Sequence, residues 1–163
     1  MKQRTATTDV PRSLQQVLAT EHAAVYGYGL VGGHLSSAEL DSASAALAAH
    51  ENRRDNVLRL LADLGGIAVP ALPAYRPRRP VVDRRSAVEL ATAVEENCAA
   101  AYIRVLGLTD DAALRRTATS WLADASVRDA LWRARLGARA LASNPPLPGL
   151  VTPVQPEVTP SAR

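Results

Sequence analysis

The amino-acid sequence predicts an all-α fold, a four-helix bundle built as two helical hairpins joined by a long crossover. Three observations carry this. The apolar fraction is 47%, yet Phe is absent and aromatics make up only 4%. The core must therefore be Ala, Leu and Val, and Ala and Leu favour helices over strands. Apolar residues recur at helical spacing in four separate stretches. Between the second and third of these lie Pro70, Pro73, Pro77 and Pro80, which exclude a regular helix there.

The first helix is expected from about Ser13 to Leu35, with Leu14, Leu18, Val25, Tyr28 and Leu35 on one stripe. Ser36 with Glu39 is a capping-box signature that closes it and opens the second helix, which Gly65-Gly66 stops after Leu64. Residues 66–85 form the crossover. A polyproline-like path rises about 3.1 Å per residue. It therefore covers on the order of 60 Å, against about 36 Å for a helix of about 24 residues. Ser86 with Glu89 is a second capping signature, opening a helix to about Leu108. Thr109-Asp110-Asp111 supplies a break and an N-cap, and the fourth helix runs to about Ala142. The bundle then occupies residues 13–143. It lies between an N-terminal arm, residues 1–12, and a proline-rich tail, residues 144–163, read as disordered. Bundles with one long crossover have the ferritin-like topology.

A length of 163 residues suits one domain. The net charge of +3 is too small for a dedicated nucleic-acid binder, and nearly all the positive charge is Arg, with Lys2 the only lysine. Cys98 is the only cysteine, which excludes an internal disulfide and argues against a thiolate zinc site. No apolar run approaches the roughly 20 residues of a membrane span, and Met1 to Pro11 is polar. A cytoplasmic protein that does not enter a membrane is expected.

The two halves resemble each other at an offset of 74 residues. Glu21 matches Glu95, Tyr28 matches Tyr102, Leu40 matches Leu114, and Arg54-Asp55 matches Arg128-Asp129. Such an offset suggests two hairpins related by a pseudo-twofold axis.

Charged residues interrupt the apolar stripes. Placed at 100° per residue, the helices carry Glu21, then Glu51 and Arg54, then Glu95, then Arg128 at mid-stripe, with Asp124 at the edge and His50 as its repeat counterpart. Buried charges do not persist unpaired. The expected arrangement is a buried salt-bridge network of Glu21, Glu51, Arg54, Glu95, Asp124 and Arg128, because Arg stays charged and bonds carboxylates bidentately. The alternative is a metal site. Di-iron bundles place a Glu on each of two helices and Glu-x-x-His on each of the other two. Glu21 and Glu95 fit the first role, but the second reads Glu51-x-x-Arg54 and Ala125-x-x-Arg128. Guanidinium has no lone pair to offer a metal. No cofactor is therefore expected; the alternative is one iron or manganese ion held by Glu21, Glu51 and Glu95 with His50 or Asp124.

The stretches Glu21-His22-Ala23-Ala24-Val25-Tyr26-Gly27-Tyr28-Gly29, Trp121-Leu122-Ala123-Asp124-Ala125-Ser126-Val127-Arg128 and Pro148-Gly149-Leu150 resemble an uncharacterised ferritin-like family found mainly in actinobacteria. The resemblance spans roughly residues 13–150. It implies the ferritin-like fold and no activity, since the family is itself a domain of unknown function.

Cys98 reads as a small packed thiol, His22 and His34 as surface or helix-end residues, and Tyr26, Tyr28 and Tyr102 as packing residues with bonded hydroxyls. Arg76, Arg78, Arg79, Arg84 and Arg85 cluster in and beside the crossover. They offer an anion-binding loop for an acidic partner or nucleic acid, although only Tyr75 interleaves with them, which weakens the nucleic-acid reading. No phosphate-binding loop, dinucleotide fingerprint, zinc-protease motif or nucleophile elbow is present. The expectation is a metal-free interaction or scaffolding protein; the residues lean away from an enzyme without deciding the point. A homodimer formed through an exposed helix face, or an unknown protein partner, is the expected assembly.

Overall fold

The computed structural model describes residues 3–142 and 158–160. Four long helices, α1 (Gln3–Gly32), α2 (Ser37–Asp63), α3 (Arg84–Leu108) and α4 (Ala112–Leu136), are followed by a short α5 (Ala138–Ala142). Two three-residue strands, β1 (Tyr75–Pro77) and β2 (Val158–Pro160), pair antiparallel. None of the described helices is long and apolar enough to cross a membrane.

Several boundaries differ from expectation for local reasons. The first helix begins at Gln3, so residues 3–12 of the expected arm are helical and the helix passes through Pro11. Proline lacks the N–H for the helical ladder and so reads as a boundary in sequence; here Val10 packs against the core and the helix continues. The third helix is capped by Asp83 and not by Ser86. The Asp83 side chain accepts from the Ser86 amide at 2.8 Å, and Ser86 Oγ accepts in turn from the Asp83 amide, a capping box one turn earlier than expected. Asp111 caps α4, accepting from the Leu114 amide at 2.7 Å. Gly137 ends α4 before Ala142 because its φ of 110° lies where only glycine sits without strain. The reading of residues 144–163 as disordered falls mostly outside the described residues; within it, Val158–Pro160 is paired with the crossover strand β1.

Side-chain pairings fix the topology. Tyr28 meets Glu95 and Glu21 meets Tyr102, so α1 and α3 are antiparallel. Arg53 meets Asp124 and Ser42 meets Arg135, so α2 and α4 are antiparallel as well. The crossover runs along α1. Gln15 holds it at both the Ile67 carbonyl and the Val69 amide, the Tyr75 ring packs at a tilt against Tyr26, and Arg84 reaches Glu39 beside the start of α2. The core between the helices is built from Ala, Val and Leu, with Tyr28, Tyr102, Trp121 and Trp132 at its midsection.

The internal repeat has two registers. Along α1 and α3 the buried residues match at 74: Leu14 with Val88, Val17 with Ala91, Glu21 with Glu95, Ala24 with Cys98, Tyr28 with Tyr102 and Val31 with Val105. Along α2 and α4 they match at 75: Ala43 with Ala118, Ala46 with Trp121, His50 with Ala125 and Val57 with Trp132. The second hairpin therefore carries one residue more between its helices.

Candidate functional site: a buried polar centre

One polar cluster lies inside the bundle and draws on all four long helices. His50 of α2 is at its centre. Its Nδ1 is 2.8 Å from Glu21 Oε2 and its Nε2 is 3.2 Å from Glu95 Oε1, and all three side chains are fully buried. Each carboxylate also accepts from a tyrosine of the opposite hairpin. Tyr28 O–H donates to Glu95 Oε1 at 2.6 Å, and Tyr102 O–H donates to Glu21 Oε1. Arg128 Nε donates to Glu95 Oε1 at 2.7 Å, and Trp132 Nε1 donates to the Tyr28 hydroxyl oxygen at 2.8 Å. Cys98 Sγ lies 4.0 Å from His50 Nδ1. Glu95 Oε2 has no hydrogen-bond partner among the described residues.

The electrostatics follow from this geometry. Burial opposes charge on Glu95, but His50 and Arg128 outweigh it and hold the carboxyl at a pKa of about 2. Burial likewise opposes charge on His50, yet Glu95, Cys98 and Glu21 raise its pKa well above that of a free imidazole. Both ring nitrogens face carboxylate oxygens, so the ring is an imidazolium with both N–H groups donating. Burial, then the neighbouring acids, push Tyr28, Tyr102 and the Cys98 thiol upward, so all three keep their protons. Two carboxylates are thus balanced by one imidazolium and one guanidinium. This is the condition under which buried charges persist.

The expected network is corrected on α2. Glu51 is exposed, and Arg54 bonds Asp55 at 2.8 Å on the flank of the helix. The inward face is Ala43, Ala46, His50, Arg53, Val57 and Leu61, one residue round from the expected stripe. The cause is composition. The leucines Leu47 and Leu58 sit at the edge of the core, while small alanines, weak markers of a face, fill its middle. Glu51 and Arg54 therefore leave the network, and His50 and Arg53 enter the interior. Asp124 is half-exposed and takes the Arg53 guanidinium at 2.8 Å, away from the His50 cluster. Glu21, Glu95 and Arg128 do come together. Asp129, which the sequence did not single out, is buried; burial raises its pKa to about 6 against the opposing pull of Arg133, 3.0 Å away.

The part played by Cys98 was also missed, because it lies on α3 and its neighbour His50 on α2. The signal that could have found His50 and Arg53 is the spacing of Ala43, Ala46, His50, Arg53 and Val57, which follows the three-four alternation of a buried helix face. The crossover arginines do not form one open basic patch. Arg84 grips Glu39 with Nε 3.0 Å from Oε1, and Arg85 and Arg79 both approach Glu89. Arg76 and Arg78 also have interaction partners.

The chain is similar to a solved structure, a conserved hypothetical protein, rv2844, from Mycobacterium tuberculosis. The two share 28% identity with a TM-score of 0.77, over 86% of this chain and 95% of the other. No curated protein matches. The model of the family described as a domain of unknown function, DUF4439, matches residues 13–152, and the chain belongs to that family.

Proposed function

We propose that this chain is a ferritin-like bundle that has no di-iron centre and acts as an interaction or scaffolding protein. The order of the helices and the crossover that runs back along α1 support the ferritin-like reading. That fold implies a pair of iron or manganese ions, and the residues do not fit a pair. The inward positions of α2 and α4 read His50-x-x-Arg53 and Ala125-x-x-Arg128 where Glu-x-x-His would be needed. At those positions α4 thus offers no donor, and α2 offers one imidazole.

The observation that carries this reading is the Arg128–Glu95 bond at 2.7 Å, with His50 on the same carboxylate oxygen. The His50 ring lies between the two acids and the Arg128 guanidinium lies on Glu95, so cationic groups already stand where a pair of metal ions would neutralise the carboxylates. Elemental analysis of protein from cells supplied with iron and manganese tests it. The reading expects far less than one ion of either per chain; two per chain would defeat it.

The interaction role rests on α4. Val127 and Leu131, one turn apart, are 59% and 54% exposed. Leu131 borders a cleft of about 250 Å³ between α2 and α4 that is also lined by Ser42, Ala45, Ala46, Trp132 and Arg135. An exposed apolar pair beside a cleft suits a second copy of the chain. Sedimentation of the wild type and of Leu131→Glu checks this, with a dimer expected for the first and a monomer for the second. A wild-type monomer at high concentration would remove the homodimer.

A further inference from the structure

We infer that Glu21, His50 and Cys98 form a site for one thiophilic divalent cation of the zinc class. It rests on the reading above in one respect, that no iron pair already occupies the centre. A carboxylate oxygen of Glu21, a ring nitrogen of His50 and Cys98 Sγ all lie within 4.8 Å of one another, and all three residues are buried. Both Glu21 and Cys98 lie on the Nδ1 side of the ring, at 2.8 and 4.0 Å. Zinc bonds sulfur at about 2.3 Å and nitrogen or oxygen at about 2.0–2.2 Å, so tetrahedral donors sit roughly 3.3–3.7 Å apart. To reach that geometry the pair Nδ1 and Oε2 opens and the pair Nδ1 and Sγ closes slightly, while the carboxylate and the thiol start within 4.8 Å of each other.

The other side of the ring is already arranged for a ligand. A metal-bound histidine characteristically donates its second ring N–H to a carboxylate, which fixes its tautomer and orientation. His50 Nε2 does this to Glu95 Oε1 at 3.2 Å, and Glu95 is itself held by Tyr28 and Arg128. Its second oxygen, Oε2, keeps spare acceptor capacity in the same buried region.

The exchange balances. A divalent ion bonds Nδ1 and Sγ, and the proton on each leaves to solvent. The dication replaces two protons, so the buried charge is the same before and after. Thiolate selects zinc and its chemical relatives over magnesium, calcium and manganese.

The test uses the full chain, stripped with a chelator and loaded with Co²⁺ as a spectroscopic stand-in for Zn²⁺. Because the donors are buried, Co²⁺ is also supplied during refolding from urea, so slow access is not mistaken for weak binding. One equivalent of Co²⁺ with a sulfur-to-cobalt charge-transfer band is expected, displaced by one equivalent of Zn²⁺. Cys98→Ala, a small change at a packed site, should abolish the band while the helical circular dichroism is kept. Glu95→Gln should weaken binding about 10–100-fold, and Glu51→Gln should leave it unchanged. A folded wild type that takes up no Co²⁺, or an unchanged Co²⁺ spectrum in Cys98→Ala, would overturn the inference and leave the metal-free reading standing. Two irons per chain in untreated protein would defeat that reading instead.

Discussion

The helix pair α1 and α3 and the pair α2 and α4 have diverged differently. In the first pair the symmetry is kept: Glu21 and Glu95 are equivalent, and each is held by the equivalent tyrosine, Tyr102 or Tyr28, of the other hairpin. In the second pair the equivalent positions differ in chemistry. His50 faces the acids where α4 offers Ala125. Arg53 turns to the half-exposed Asp124, whereas its counterpart Arg128 turns to the buried Glu95. One pair supplies two acids in a fixed frame, and the other decides what neutralises them. The charge chemistry of the centre is therefore set by α2 and α4.

The largest effect should come from breaking this asymmetry at Arg128. Arg128→Ala leaves Glu95 short of a cation in the interior and should cost on the order of 3–5 kcal/mol in urea unfolding. Arg53→Ala should cost less, about 1–2 kcal/mol, because its partner Asp124 is half-exposed and regains water. Equal losses from the two would show that the two guanidiniums do the same work and would erase the contrast.

Next in size is the response to pH, measured in chelator. Glu95 has its pKa depressed to about 2. Its contribution is present above the ordinary carboxyl range and is lost as pH falls from about 4.5 to about 2, on the order of 3 kcal/mol in all. His50 is shifted the other way, upward. Its contribution is full below an ordinary imidazole pKa and is lost as pH rises through the folded value. The two shifts share one interaction, so their energies are not summed. Asp129, its pKa raised to about 6, works in the opposite sense to Glu95 and withdraws stability as pH rises from the ordinary carboxyl range to about 6. Above that range urea midpoints should hold level until His50 titrates, and His50→Gln should remove that alkaline fall.

Smaller effects sharpen the symmetric half. Tyr28→Phe and Tyr102→Phe each remove one donor to a buried carboxylate and should each cost about 1–3 kcal/mol. Tyr28→Phe should cost more, because Trp132 Nε1 also loses its acceptor. The smallest effect is expected at Arg54→Ala, below about 0.5 kcal/mol, since Arg54 bonds only its half-exposed neighbour Asp55. A loss of several kcal/mol there would restore Arg54 to the interior.

The helices were legible in sequence because their boundaries depend on local signals. Gly65-Gly66, the prolines of the crossover and Asp111 each mark an element end through backbone chemistry. The faces were legible only where large residues mark them. On α1 and α3, Leu14, Leu18, Tyr28 and Tyr102 fix the rotation, and Glu21 and Glu95 fall where expected. On α2 the middle of the buried face is Ala43, Ala46 and His50, while Leu40 and Leu64 are exposed. A stripe drawn through the leucines is therefore turned by one residue. The Arg54-Asp55 match to Arg128-Asp129 reinforced that error, because an added residue in the second hairpin had shifted the repeat from 74 to 75. The pairing of His50 with Cys98 joins residues 48 apart on different helices, and no local pattern encodes it.

The protonation of His50 is read directly by long-range proton–nitrogen NMR of the imidazole in metal-free protein at neutral pH. Both Nδ1 and Nε2 should carry protons, one donated to Glu21 and one to Glu95. A neutral ring with one bare nitrogen would contradict the charge balance on which the reading of the centre depends.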